Sequence, residues 1–521
     1  MGNSIAYLSG DDDILEVPDV YGYNVIDFTV NEMDLQVHPQ DYHRNNLPVI
    51  RGKPNLNRFQ NTEMYKQIMS RCTLDWKPTE RRWNLMQALQ KRENGLAAPS
   101  TDSFSCSQQR YFANMYIPNQ KSTRILSLDA KVFVTKFNKS GDKLITACQD
   151  GFVRIYDGSK GTYHLLNRIH ARDVQWCITD ADFSPDGQHF AYSTWSRSFF
   201  VMPLDSHDGD CQWIVHETSN NRVAVFSLRY SPTGDKIIGG SSNATVIVGD
   251  VRTRATQMLR THRTPNIDVN AVSYVSDNDP NLIIAGCDDG LLKVYDLRTA
   301  FRGRTVAKSV IQFVGHYDGI TYIDSRNDGC HVLTNSKDQS IKIWDLRQPS
   351  NTRNRNAIRQ HQSTMNRWDY RWDRVPRQFY NPHRALEGDS SIMTYRGHRV
   401  TKTLLRAKFS PLEQTGQRFI YTGCGTGRII IYDVLTGHIR EAIEGHKTVV
   451  RDLDWHPVRS EIISSSWDTH VHLNSYKRNT AIQPTCRRRR SSVGRDNRPL
   501  RRSRRIANRA CGGANRTSRP Y

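Results

Sequence analysis

The sequence predicts an all-β body assembled from repeated units, and three observations carry that expectation. Three distant segments, Thr146–Asp157, Ala285–Asp296 and Thr334–Asp345, share one pattern: small residues, an Asp turn, alternating apolar residues, then an aromatic-Asp pair. His residues precede several of these at a fixed register. His316 to Asp338 and His446 to Asp468 both span 22 residues, and His316 to Trp344 and His446 to Asn474 both span 28. Aromatic-Asp endings and their degenerate equivalents recur seven times, near Tyr156-Asp157, Leu204-Asp205, Gly249-Asp250, Tyr295-Asp296, Trp344-Asp345, Tyr432-Asp433 and Asn474-Ser475.

Each part of the pattern has a physical role. Alternation with period 2 describes a strand with one buried face. Asp sets a tight turn, and a His from the preceding loop can hydrogen-bond it. The expected result is a buried polar chain that ties each unit together, best represented by His316, Ser336, Asp338 and Trp344. Ser196, Asn243 and Thr426 stand where the second, third and sixth units should carry the turn Asp. An N-terminal strand is expected to complete the last unit and hide its edge, with Tyr111–Ile117 and Arg124–Leu128 as the two candidates.

Three regions lie outside the repeats. Residues 1–110 form an extension whose helix formers fall in two pieces, Thr62–Arg71 and Thr79–Glu93, giving a candidate helix over 81–94. The repeat body is expected over 111–477, with an insertion at 348–391 between the fifth and sixth units. Residues 478–521 hold 14 Arg and one acid, too polar to fold alone, so a disordered basic tail is expected. Within the tail, Arg487, Arg488, Arg489, Arg490, Arg501, Arg502, Arg504 and Arg505 read as a nuclear import signal, with nucleic-acid contact as the alternative for this segment only.

Composition limits the function classes. The 521 residues carry 73 Lys+Arg and 52 Asp+Glu, a net charge of +21, much of it in the tail. No apolar run approaches the roughly 18 residues of a membrane helix, so no membrane partner is expected. Ten scattered cysteines without a C-x-x-C pair suggest reduced thiols in nucleus and cytoplasm, without disulfides or zinc. Phosphate loops, H-E-x-x-H, G-x-S-x-G and dinucleotide fingerprints are all missing, and His262, His316, His398 and His446 sit where the repeat needs a His. Neither catalysis nor a cofactor is expected.

The repeat resembles the WD-repeat family, whose units of roughly 40–45 residues close into a β-propeller. The resemblance implies a seven-bladed WD-repeat β-propeller with a partly helical N-terminal extension. A finer likeness lies beyond the aromatic-Asp pair. Ile283–Arg298 and Val332–Arg347 both end aromatic-Asp-Leu-Arg, and Gly249-Asp-Val-Arg252 is a weaker copy. An Arg just past a strand end projects from the rim, where its planar fork can bridge to a partner. This is similar to the WD-x-R box of substrate receptors of cullin-4 ubiquitin ligases. It implies that Arg298 and Arg347, supported by Asp296 and Asp345, dock the propeller to the ligase's damaged-DNA-binding adaptor, with 81–94 as a helix ahead of the propeller.

Further stretches, among them Ala171–Trp176, Asn366–Trp372 and Val450–Pro457, look like one member of that receptor family over about Met86 to Tyr476. Cap-n-collar bZIP stress-response factors are the substrate class that the resemblance implies. In the insertion, Trp368, Tyr370 and Trp372 are candidates for partner contact or for packing on the propeller. Arg172, Arg229, Arg451 and Trp195 fall near blade loops, as solvated rim residues or as contacts for an acidic peptide. The alternative function is a non-enzymatic propeller scaffold in a nuclear ribonucleoprotein or chromatin complex.

Overall fold

The computed structural model describes residues 54–72, 106–119, 123–196, 198–205, 212–215, 223–301, 306–350, 368–381 and 384–477. The chain divides into Met1–Lys477 and Arg478–Tyr521, and the second unit with its Arg clusters lies outside the described residues. The candidate helix at 81–94 also lies outside them.

Among the described residues, 28 strands from β1 (Thr123–Ser127) to β28 (His470–Ser475) form seven four-stranded antiparallel sheets. This is a seven-bladed β-propeller. Innermost strands such as β6 (Ile178–Phe183) and β14 (Val269–Ser276) are buried along their whole length, because sheet neighbours cover both faces. Outermost strands such as β5 (His164–His170) and β25 (Ile439–Glu444) are mostly exposed. The third strand of each blade stops at or just before the seven ends expected from sequence: Asp157, Pro203, Asp250, Asp296, Asp345, Asp433 and Ser475.

The ring is closed by the N-terminal strand. β1 pairs antiparallel with β28, with Thr123 opposite Leu473 and Ser127 opposite His470. It thereby completes the blade of β26 (Val450–Trp455) and β27 (Glu461–Ser466) and covers the edge of β28. The other candidate for this task, Tyr111–Ile117, is not a strand. Its first three residues finish a helix, and Asn114 N and Met115 N donate back to Arg110 O and Phe112 O at 2.9 Å each.

Among the described residues two helices precede the ring, α1 (Glu63–Cys72) and α2 (Cys106–Ala113). Thr62 caps α1, its Oγ1 accepting from Tyr65 N at 3.2 Å. Met64, Ile68 and Cys72 recur every four residues and are fully buried with Phe59 against Tyr395, Phe409, Ile420 and Tyr432 of blades five and six. The Cys72 thiol donates to Thr415 O at 3.2 Å. Facing it, Gly416 has φ +66°, and a Cβ there would stand 2.8 Å from Cys72 Sγ, so both conformation and space call for glycine.

Candidate docking face and channel mouth

The polar chain expected in blade five exists with one member changed. His316 Nδ1 lies 3.0 Å from Asp338 Oδ2 and Nε2 lies 2.6 Å from Thr334 Oγ1, which also accepts from Trp344 Nε1 at 2.8 Å. The linking hydroxyl is therefore Thr334, not Ser336. In the register of β19 (His331–Ser336) on β20 (Ser340–Asp345), Trp344 faces Val332, which puts Thr334 one step along the same side. Ser336 lies further along, and its hydroxyl donates to the carbonyls of Asp318 and Gly319 at 2.9 and 3.0 Å. Blade seven repeats the arrangement: His446 contacts Asp468 at 3.1 Å and Ser464 at 2.9 Å, and Asn474 Nδ2 donates to Ser464 at 3.1 Å. Where Thr426 replaces the turn Asp, His398 bonds Tyr432 Oη and Asn335 Oδ1 instead, both at 3.0 Å. His262 contacts Thr264 at 2.8 Å.

The two box arginines fold into the same local geometry. Arg298 N lies 3.0 Å from Asp296 Oδ1, with Nε 2.9 Å from Oδ1 and Nη2 2.7 Å from Oδ2. Arg347 N lies 3.0 Å from Asp345 Oδ1, with Nε and Nη2 each 2.9 Å from the Asp345 carboxylate. Each guanidinium is thus held flat by its own carboxylate, while the side chains stay 64% and 53% exposed and present an ordered outer edge. Bonds from Arg298 hold the Asp296 carboxyl below the usual carboxylate range. Burial opposes ionisation of Asp345, but the Arg347 bonds and neighbouring charges outweigh it and lower its pKa too. The weaker copy does not form this fork: Asp250 Oδ1 accepts from Thr253 N at 2.8 Å.

Both forks end third strands, on the propeller face that also carries the turns between first and second strands. Helix α1 packs on this face, and a chain of polar contacts joins it to the second fork. Gln67 Oε1 accepts from Arg326 Nη1 at 2.9 Å, and Arg326 Nη1 also donates to Asp328 Oδ2 at 2.7 Å. Asp328 Oδ2 contacts His331 Nδ1 at 2.6 Å, and His331 Nε2 stands 4.0 Å from Asp345 Oδ2, beside Arg347. None of Gln67, Arg326, Asp328 or His331 stood out in the sequence, since they belong to no motif and meet only after folding.

From Trp368 onward the insertion lies on the opposite face of blade five. Trp368 packs on Phe379 with ring centroids 5.1 Å apart, in a cluster with Val314, Tyr317 and Leu386. Tyr370 packs against Val400, Leu405 and Val449, and Lys337 Nζ stands 4.8 Å from its ring centre. Trp372 is half exposed. Asp369 and Arg371 form a further fork of the box type, Nε to Oδ1 at 3.0 Å and Nη2 to Oδ2 at 2.7 Å. Its signal, Trp368-Asp-Tyr-Arg371, was present in the sequence.

Charged groups fill the central channel. Arg406 bridges Asp180 at 2.7 Å and Asp452 at 2.8 Å, Arg229 reaches Asp180 at 3.1 Å, and Lys408 pairs with Asp454 at 2.9 Å. Buried charges persist when paired in this way. Arg172 is exposed, and Trp195 and Arg451 lie at the channel mouth. Among the described residues, no cluster of three or more His, Cys, Asp or Glu could hold a metal ion.

Seven four-stranded blades, with the His, hydroxyl, Asp and Trp chain complete in blade five and its Asn variant in blade seven, define a WD-repeat propeller protein. The WD domain, G-beta repeat model matches residues 119–157, 254–296, 307–345 and 437–473, each running from the outermost strand of one blade through the inner three of the next, blades one, four, five and seven. The DDB1- and CUL4-associated factor 11 homolog of Caenorhabditis elegans is 37% identical over 421 residues, 78% of this chain and 70% of that protein. Its Caenorhabditis briggsae counterpart is 35% identical over 401 residues, 74% and 69% of the two chains. LEC14B protein of Lithospermum erythrorhizon is 33% identical over 389 residues, 72% and 79% of the two. The chain belongs to the DDB1- and CUL4-associated factor 11 family.

Proposed function

We propose that the protein is the substrate-recognition subunit of a cullin-4 ubiquitin ligase. The observation that carries this reading is the face shared by the Arg298 fork, the Arg347 fork and helix α1, the last two joined through Gln67, Arg326, Asp328 and His331. The relatives' names tie them to DDB1 and CUL4, and two ordered, outward-facing guanidiniums suit a partner's carboxylates or carbonyls. In this reading the adaptor holds that face, while the opposite mouth presents a target's lysine to a ubiquitin-loaded enzyme elsewhere in the complex. The receptor itself catalyses nothing, and the gain in rate comes from effective concentration.

Stress-response bZIP factors are the proposed targets, and the Arg clusters at 487–490 and 501–505 are proposed to carry the chain into the nucleus. Co-purification of full-length protein with the adaptor tests the receptor reading. A reporter fused to residues 480–521 tests the import reading, which fails if the reporter stays evenly distributed.

A further inference from the structure

The channel mouth on the face of the turn Asp residues holds a cation that, among the described residues, has no acid of its own. Arg451 lies at the start of the innermost strand of blade seven and is 4% exposed. Its Nη2 reaches across the channel to Thr179 O at 3.5 Å, and its Nε and Nη1 make no hydrogen bond among the described residues. The carboxylates that act on it are engaged elsewhere. Asp452 accepts from Arg406 at 2.8 Å and from Thr135 N at 3.0 Å, while Asp180 accepts from Arg406 at 2.7 Å, Arg229 at 3.1 Å and Leu228 N at 2.9 Å. Burial and the like charge of Arg406 bring the Arg451 pKa down to about 10, which still leaves it charged at neutral pH.

An arc of aromatic rings borders this mouth. Trp195 meets Phe226 at 5.8 Å and Trp176 at 5.2 Å, and Phe133 meets Trp176 at 5.4 Å and Trp467 at 5.8 Å. Lys131 Nζ stands 5.0 Å from the Trp467 ring. The buried Trp467 Nε1 makes no hydrogen bond among the described residues. Unused donors of this kind are expensive in a folded chain unless a ligand takes them up.

We propose that this mouth binds a carboxylate of a partner peptide, with the unused N–H groups of Arg451 on the carboxylate and the aromatic arc on the flanking apolar atoms. The inference rests on the receptor reading and names the chemistry of the target it takes. Carboxylate and guanidinium match in charge and in planar geometry, and an aromatic border adds contact area at little entropic cost.

Random peptides displayed on the full-length protein test it, in one library with free C-termini and in one with the random segment internal. The expected result is enrichment of carboxylates: Asp or Glu in the internal library if side chains bind, or success of the free-end library alone if the chain terminus binds. Affinity of the enriched peptides falls by about thirtyfold or more in Arg451→Met, and several-fold in Trp467→Phe, which keeps the ring but removes the donor. Arg451→Met melts at or above the wild-type temperature, because a buried unpaired charge has gone. Absence of binders, binders without carboxylate dependence, unchanged affinity in Arg451→Met, or a lower melting temperature for that variant each overturns the inference. Adaptor capture by Arg451→Met stays at the wild-type level. A wild-type protein that captures no adaptor defeats the receptor reading while the peptide result stands separately.

Discussion

Arg326 and Gln67, 259 residues apart in sequence, meet at 2.9 Å, and this bond ties helix α1 to the turn beneath the Arg347 fork. Arg326 is buried, and its Nε and Nη2 have no hydrogen-bond partner among the described residues, so the Gln67 and Asp328 oxygens carry its side-chain polar contacts there. Gln67→Ala should therefore lower stability by about 1–3 kcal/mol, measured by urea unfolding, since it strips a buried charged donor. A change within error would mean that water serves Arg326 as well as Gln67 does.

Thr334 should couple His316 to Trp344. Thr334→Val removes one acceptor shared by two buried donors, and a loss of about 1–3 kcal/mol is expected. Trp344→Phe removes one of the two bonds. The double variant should then cost less than the sum of the singles, by at least about 0.5 kcal/mol. Strict additivity in denaturation would refute the link.

His398 makes stability depend on pH. Burial holds its pKa down to about 3, against an ordinary value of 6.5. The folded state then binds fewer protons than the unfolded state between these values, so its contribution falls as pH drops from 6.5 toward 3. His472, lowered to about 4 by burial and His446, acts in the same direction, whereas Asp318 and Asp324, raised by burial to about 7 and about 6, oppose it. His398→Gln should remove slope from a plot of unfolding free energy, about half a proton's worth at pH 6.5 and approaching one proton's worth near pH 5. An identical slope would show that His398 ionises in the folded protein.

Closure by β1 should be separable from the packing of α1. A chain beginning at Gln120 keeps the pairing of Thr123–Ser127 with blade seven, and one beginning at Ala130 loses it. The longer chain should melt higher by several degrees and resist aggregation, since the shorter one exposes the edge of β28. Equal melting of the two would mean that the last blade does not depend on the N-terminal strand.

The blades were legible because each repeats a local grammar: the aromatic-Asp endings at Tyr156, Tyr295, Trp344 and Tyr432 mark strand ends directly. Helix α1 was legible as the run of helix formers over Thr62–Arg71, while the burial of Met64, Ile68 and Cys72 against blades five and six came only with the fold. The Thr334 assignment was not, because Thr334 and Ser336 lie two apart on the same side of one strand, and only the register against Trp344 chooses between them. The channel was less legible still. Asp180, Arg406 and Asp452 come from blades two, six and seven, and nothing in their local sequences announces that one guanidinium will span two carboxylates. The same holds for the path from Gln67 to Arg347, where every step joins residues that no motif groups together.

Capture of the DDB1 adaptor with full-length wild type and with Arg298→Ala/Arg347→Ala, after both proteins are shown to melt alike, decides whether the two forks dock a partner. Wild type should retain the adaptor, and the double variant should lose most of it, because both ordered guanidiniums on the α1 face have been removed. Equal retention by the two proteins, or none by either, would contradict the assignment of that face to docking.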